Sequence, residues 1–337
     1  MTGASRVRAW APGRVNLVGD HTDYTGGLAL PLAVDLGTEV LGRRGGSRVV
    51  VRSDEEAGVA EIDLEIEDPS SVDPPWARYV AAVVAELRPV SGLRGAVRTT
   101  LPLGAGLASS AALEVALALA VGFDGSARDL ALLCQRAEHA ATGVPTGVMD
   151  QLTSAAGVAG HALLLDCARL AVDPVRLPDD IEVVVIHSGE RRGLARTAYA
   201  RRRTECEAAE ARVGPLARAD RSEVEALDDP VLRRRARHVV TENARVTALA
   251  TALASGDGLS AGAVLAASHA SLRDDFEVST PALDALVARL TATPGVLGAR
   301  LTGAGFGGCV VALTEPGVPI DGWHVQASDG ASVAAFR

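Results

Sequence analysis

The chain of 337 residues contains no lysine: all 33 of its basic residues are arginine, set against 42 Asp and Glu. That absence closes several routes at once. No side chain can form a Schiff base with a carbonyl substrate or pyridoxal phosphate, and neither a P-loop lysine nor the β3 lysine of a protein kinase is available. Any ATP chemistry must run without a lysine clamp. A formal net charge of −9 argues against a general nucleic-acid partner, because phosphate-backbone affinity is built from clustered cations. Aromatics are only 3%, so the core has to be assembled from Ala, Val and Leu. The four cysteines, Cys134, Cys167, Cys206 and Cys309, form no C-x-x-C pair, which suits reduced thiols rather than a disulfide framework or a zinc site. The most apolar stretch, 111–121, is too short to cross a bilayer and contains Glu114. Residues 1–10 carry Arg6 and Arg8 but no apolar segment of signal-peptide length. A cytoplasmic protein with no membrane role is expected.

What is present is ordinary for a globular chain, 48% hydrophobic and 22% charged, and its length favours two domains. Short apolar or alternating runs at 15–18, 28–32, 49–52 and 60–66 read as strands. Helical spacing follows at 76–88, 109–121, 127–142 and 151–156, the first stopped by Pro89 and the others by Gly122, Gly143 and Gly157. Strands are expected at 162–165 and 183–186, with a charged, Pro-containing passage near 173–180 between them. The domain boundary is expected there. Helices at 193–213, 231–254, 259–268 and 281–291 then precede strands at 299–302 and 309–313.

Three segments carry chemistry. In the first, Asp20, His21 and Asp23 follow a strand between Gly19 and Gly26-Gly27; two carboxylates and an imidazole suit hydrogen bonding to several hydroxyls at once. A surface turn rich in Asp and Gly would look the same. In the second, Pro102-Leu103-Gly104-Ala105-Gly106-Leu107-Ala108-Ser109-Ser110 leads into an Ala/Leu helix. Unpaired N–H groups and the dipole at such a helix start favour an anion, glycines let the backbone approach phosphate oxygens, and a serine hydroxyl can help to hold Mg²⁺. Glu114 lies four residues after Ser110, on the same helix side, and could share a metal; simple helix capping fits this segment too. In the third, four glycines fall within 303–308 between strands, which calls for positive φ or close backbone approach. A tight turn has the same signature.

In this order and spacing the three segments resemble the GHMP small-molecule kinases, and 14–24 is similar to the sugar-binding stretch of the galactokinases within them. The likeness extends to Gly147-Val148-Met149-Asp150-Gln151, to Tyr199 with Arg201-Arg202-Arg203, and to 237–243 and 268–278. It implies an α+β, two-domain GHMP kinase fold: a ribosomal-S5-like N-terminal α/β domain (1–172) and a C-terminal α+β domain (173–337), with the active site between them. It further implies transfer of the ATP γ-phosphoryl to the anomeric hydroxyl of galactose, with Mg²⁺. Asp150 and Arg14 would be catalytic; Asp20, His21, Asp23, Gly147 and Tyr199 would bind the sugar; Pro102, Gly104, Ala105, Gly106, Leu107, Ala108, Ser109 and Ser110 would bind ATP; Ser110 and Glu114 would hold the metal. Physical chemistry agrees with those roles. The attacking hydroxyl must lose a proton, which a carboxylate can accept, and Arg14 can stabilise developing charge but has no accessible neutral form.

Four departures stand out against the resemblance. Arg14 comes unusually early, so the helical leader common in the family is expected to be nearly absent and peripheral packing to differ. Asp20 occupies a position where galactokinases usually have Glu, near the sugar's 6-hydroxyl. Ala108 replaces the first of three usual serines, and Ser188-Gly189-Glu190 stands where an Asn-containing segment is more usual. A kinase for galacturonate, arabinose or N-acetylgalactosamine, or a non-catalytic galactose sensor, is the alternative reading. A monomer is expected. The other histidines show no metal-ligand spacing, and the arginine runs 201–203 and 233–235 read as solvated helix faces.

Overall fold

The computed structural model describes residues 5–102, 104–190 and 195–336. The first half runs β1 (Arg6–Asn16), β2 (Leu28–Ala29), β3 (Pro31–Arg44), β4 (Arg48–Ser53), β5 (Val59–Asp63), α1 (Ala77–Leu87), β6 (Leu93–Thr99), α2 (Ser109–Val121), α3 (Ala127–Thr142), α4 (Met149–Ala156), β7 (His161–Asp166) and β8 (Ala171–Arg176). The second runs β9 (Glu182–His187), α5 (Ala195–Val213), α6 (Arg221–Glu225), α7 (Pro230–Ser255), α8 (Gly258–Asp274), α9 (Pro281–Thr291), β10 (Val296–Thr302), β11 (Cys309–Thr314), β12 (Trp323–Val325) and β13 (Ser332–Phe336).

Three sheets organise these elements, in the orders β13-β1-β3-β6-β4-β5, β10-β11-β9-β12 and β2-β7-β8. The mixed α+β architecture expected from the resemblance is present. Beyond its two N-terminal serines α2 is apolar but for Glu114, and ten of its 13 residues, Glu114 among them, are buried; a helix without a polar face has to lie inside. It packs between β1 and β3 on one side and α1, α3 and α4 on the other. Only its N-terminus reaches a cavity, which places the Gly/Ser loop at a rim rather than in the core.

Several strands escaped the periodicity reading. β3 runs on well past residue 32, because Glu39 and the glycines at 37 and 42 that break its apolar pattern sit in register with β1. The passage at 173–180 is not a linker at its start: β8 pairs with β7 from Asp166↔Ala171 to His161↔Arg176. Residue 172 therefore lies within a strand. β13 returns from the chain's end to pair with β1, so the final residues belong to the sheet of the first half. A continuous apolar cluster unites Val15, Leu17, Leu30 and Leu32 with Val185, Val246, Leu265 and Val311. The two halves thus share a core, and groups contributed by each are held at fixed separation.

The arginine runs are not simply solvated. Three consecutive helical residues span about 200°, so one of each run must turn inward. Arg202 is buried and donates to the carbonyls of Phe276 and Glu277 at 2.6 and 3.1 Å. Arg235, 2% exposed, donates to Glu205 (2.7 Å), Glu277 (2.5 Å) and the Asp275 carbonyl (2.6 Å). Replacing Arg235 by Leu strands the largely buried Glu205 carboxylate and the Asp275 carbonyl, whereas Glu277 is open to water, and should lower stability by about 3 kcal/mol in urea unfolding; a loss below about 0.5 kcal/mol would mean that Arg201 and Arg202 take over its partners.

Candidate active site

Arg14 is where the pairing of β1 with β3 resumes after a register shift between Pro12 and Arg14. That irregularity turns its side chain toward the start of α4. The buried guanidinium donates from Nε to Asp150 Oδ1 at 2.7 Å, from Nη2 to Oδ2 at 2.5 Å, and from Nη1 to the Gly106 carbonyl at 2.7 Å. Its backbone N–H meets the Leu107 carbonyl at 3.1 Å. The fork-to-fork pair fixes both oxygens of Asp150 in one plane, yet the aspartate side chain stays 26% exposed, open to a cavity.

That cavity, about 250 Å³, is lined by Arg14, Asp20, His21, Asp23, Gly147, Asp150 and Tyr199. All the residues expected at the reacting hydroxyl or around the sugar meet there. The second half of the chain supplies Tyr199, Gly303 and Ala304. Asp20 is 2% exposed and accepts from the Gly303 N–H at 2.9 Å and from the Arg300 guanidinium. Arg300 is fully buried and also donates to the Leu17 carbonyl at 2.9 Å. Sequence reasoning missed Arg300; a lone charge in the apolar run Leu297–Leu301 was the available signal. The glycines at 303, 305, 307 and 308 all take positive φ, as that segment's composition required.

His21 contributes a surface rather than hydrogen bonds. Burial, helped by the charge of His238, lowers its pKa to about 3, so the ring is neutral. Nε2 lies 3.2 Å from the Ala304 carbonyl and must donate to it, leaving Nδ1 to accept from the Tyr24 hydroxyl at 3.0 Å. Both nitrogens are committed within the protein. The ring instead packs at 5.4 Å from Tyr199 and 4.6 Å from Phe276, and Tyr24 stands edge-on to Tyr199 at 5.4 Å. Behind it, Glu242 accepts from the Gly19 N–H at 3.1 Å and from Ser268 at 2.5 Å. Burial alone would raise that carboxyl; His238, Arg245 and Arg300 together pull it down to about 2. The loop before His21 is therefore pinned by a buried anion.

Asp23 is the strained member. Burial and then the facing charge of Asp150 raise its pKa to about 6. A Cβ on Gly147 would stand 1.7 Å from Asp23 Oδ2, so glycine is required there for the carboxyl to reach the cavity.

The Gly/Ser loop lines a second cavity of about 220 Å³ through Gly104, Ser109 and Ser110, with Trp76, Val97 and Thr99 opposite. Tyr79 borders both cavities. Gly104 and Gly106 take positive φ, and so does Ala108, which opens α2 without a side-chain cap. The N–H groups of the first turn have no partner within the helix, and no side chain competes for them. Pro102, Ala105 and Leu107 shape this loop from beneath, Ala105 and Leu107 being buried.

Glu114 does not join Ser110 at the cavity. One helical turn deeper, about 6 Å along α2, it is fully buried and lines neither cavity. Burial and then Glu138 hold its carboxyl well above the usual range. Glu138, on α3, stands instead where Glu114 was expected: its Oε1 accepts from Ser110 at 2.8 Å. Ser110 faces the second cavity and Glu138 the first, so their hydrogen bond crosses the junction. Nothing around Glu138 in sequence marked it, since it sits 28 residues from Ser110 inside an ordinary amphipathic helix. Among the described residues no cluster of three His, Cys, Asp or Glu suited to a metal is present, and no helix is long and apolar enough to cross a membrane.

The arrangement has relatives. Residues 2–44 match the galactokinase galactose-binding signature, 77–158 the GHMP kinases N-terminal domain, and 249–321 the GHMP kinases C-terminal domain. The chain is 44% identical to a galactokinase of Roseiflexus sp. (strain RS-1), over 90% of this chain and 82% of that one. It is 41% identical to human galactokinase over 97% and 88%. A crystal structure of Lactococcus lactis galactokinase complexed with galactose superposes with a TM-score of 0.90 at 30% identity, covering 97% of this chain and 95% of that one. Mevalonate kinase shares the fold alone, with a TM-score of 0.65 at 18% identity.

The raised carboxyl of Asp23 has a measurable consequence. Because its pKa in the folded chain lies above that of the unfolded chain, keeping it ionised costs stability, and the cost grows as pH rises from about 4 through about 6. Asp23→Asn should stabilise the protein at pH 7 by about 3 kcal/mol, for a shift of roughly two pKa units, and by little at pH 4. Equal effects at both pH values in urea unfolding would show that Asp23 is not the strained group.

Proposed function

The chain belongs to the galactokinases of the GHMP kinase family, and from that premise we propose that it transfers the γ-phosphoryl group of ATP to the anomeric hydroxyl of galactose, giving galactose 1-phosphate and ADP. One observation supports the assignment of roles most directly. The cavity holding Asp150 and the hydroxyl-binding groups abuts the cavity of the Gly/Ser loop across the Ser110–Glu138 bond.

Asp150 accepts the proton of the attacking hydroxyl. Its oxygens are held by Arg14, which keeps them oriented toward the first cavity and stabilises charge as the oxygen becomes nucleophilic. Asp20 and Asp23 accept hydrogen bonds from sugar hydroxyls, Tyr199 and the His21 ring pack against the sugar's carbon face, and Gly147 leaves room for Asp23. Binding replaces the repulsion between Asp23 and Asp150 with hydroxyl donors, so part of the strain is released in the complex. In the second cavity the first-turn N–H groups of α2 and the loop backbone hold phosphates, with the nucleoside beside Trp76. Ser110 and Glu138 are oxygen donors at the junction and fit a hard divalent cation, with Mg²⁺ as the expected one. When bound, that ion neutralises charge on the phosphate oxygens around the transferred group.

Scoring ADP release with a panel of sugars tests the reading. Galactose should support turnover that requires Mg²⁺, above galacturonate, arabinose and N-acetylgalactosamine. Turnover with one of those but not galactose would replace the substrate, and sugar binding without turnover would replace catalysis with sensing. Asp150→Asn should lower kcat by about 10²–10⁴-fold with galactose affinity kept within a few-fold; near-normal kcat would remove Asp150 from its role.

A further inference from the structure

Gln151 follows the proposed base directly, is fully buried, and takes no part in the chemistry described above. Its Nε2 donates to Glu138 Oε2 at 2.7 Å, and Thr146 Oγ1 donates to the same oxygen at 3.0 Å. Oε1 of Glu138 is thereby left facing the Ser110 hydroxyl. Thr146 is itself anchored through its carbonyl, which accepts from Gln135 at 3.1 Å and lies 2.9 Å from His139 Nε2. Behind this junction lies the fully buried Glu114, whose carboxyl is held well above the usual range by burial and by Glu138 and is in hydrogen-bond contact with Gln151. Gln151 of α4 thus meets the acidic side chains of both α2 and α3.

We infer that Gln151 is the positioning residue for the cation site: it fixes the rotamer of Glu138, and so the distance between Glu138 and Ser110. The inference rests on the reading that Ser110 and Glu138 hold the divalent cation. Consecutive residues on a helix diverge by about 100°, so Asp150 points to Arg14 and the sugar cavity while Gln151 points to Glu138. One turn of α4 therefore sets the base and the cation relative to one another. Groups that orient a ligating carboxylate commonly govern metal affinity by 10–100-fold. An amide suits this position, because it donates to Glu138 without adding a charge beside Glu114 and Glu138.

The test titrates Mn²⁺ into ADP-saturated protein, followed by electron paramagnetic resonance, with galactose affinity measured separately without metal. Gln151→Met, which keeps the side chain's length and removes its donor, should weaken Mn²⁺ binding by about 10-fold or more, leave galactose affinity unchanged, and recover most of kcat at saturating Mg²⁺. Thr146→Val, at a less buried site, should shift Mn²⁺ affinity in the same direction by a smaller factor, which secures the result if Gln151→Met fails to fold. Glu138→Gln separates the two levels of argument. If it weakens Mn²⁺ binding while Gln151→Met and Thr146→Val do not, the positioning role is wrong and the cation site stands. If none of the three changes Mn²⁺ binding, the cation site itself is misplaced and the inference falls with it. Galactose affinity lost in parallel, or kcat that excess Mg²⁺ does not recover, would reduce Gln151 to a packing residue.

Discussion

The Arg14 guanidinium is the constraint on which the rest of the site depends. Two of its nitrogens hold the Asp150 carboxylate and the third holds the Gly106 carbonyl, while its own backbone N–H bonds to Leu107. One residue thus ties the proposed base to the loop that would carry the phosphates. A base near a hydroxyl is useful only if that hydroxyl is aligned with the phosphorus it attacks, and misplacement by about 1 Å can cost roughly 100-fold in rate. Arginine performs this where lysine could not, because a planar fork offers several donors in fixed directions.

The absence of lysine then has a structural counterpart. On the proposed reading, phosphate charge would be met at the second cavity by peptide dipoles, by the first-turn N–H groups of a helix and by a cation on oxygen ligands. α2 is built for that: apolar over most of its length, it is locked in the core by packing and needs no polar cap for stability. An α2 capped by its own side chain would gain about 1 kcal/mol and lose the donors that an anion needs. Ala108, held at positive φ where a capping residue would normally sit, marks the same preference for function over local stability.

How much of this was legible depended on whether a residue's role is local or tertiary. The helices at 109–121, 127–142 and 281–291 were read to the residue, because each begins or ends on Pro or Gly and has neighbours that share its preference. β3, β6, β8 and β13 were not, since their polar and glycine positions make sense only against partner strands. Asp20, His21, Asp23, Gly147 and Tyr199, which line the first cavity with Asp150, fall in short segments with unusual composition and were visible. Glu138 and Arg300 were not, because each matters through a partner far away in the chain, at 28 and 280 residues respectively. Helical spacing placed Glu114 on the correct side of α2 and at the wrong depth. Periodicity reports the face of a helix, whereas the neighbouring helices decide how far along that face solvent reaches.

The shortened side chain at position 20 shows how such tertiary partners alter a motif's meaning. Aspartate reaches less far than glutamate, which alone would draw a carboxylate away from the sugar. Yet Asp20 does not hang free: Arg300 and the Gly303 N–H grip its two oxygens, and His238 donates to its backbone carbonyl at 3.1 Å. Each of these partners comes from the second half of the chain, whereas Asp20 comes from the first. The buried ion pair is a weak source of net stability, because desolvating both charges offsets their attraction. Its effect is positional, since a carboxylate with two committed oxygens cannot swing to follow a differently shaped sugar. On the proposed reading, substrate choice at that end of the cavity would be set jointly by the length of residue 20 and by the shared core that holds Arg300 and Gly303 in place.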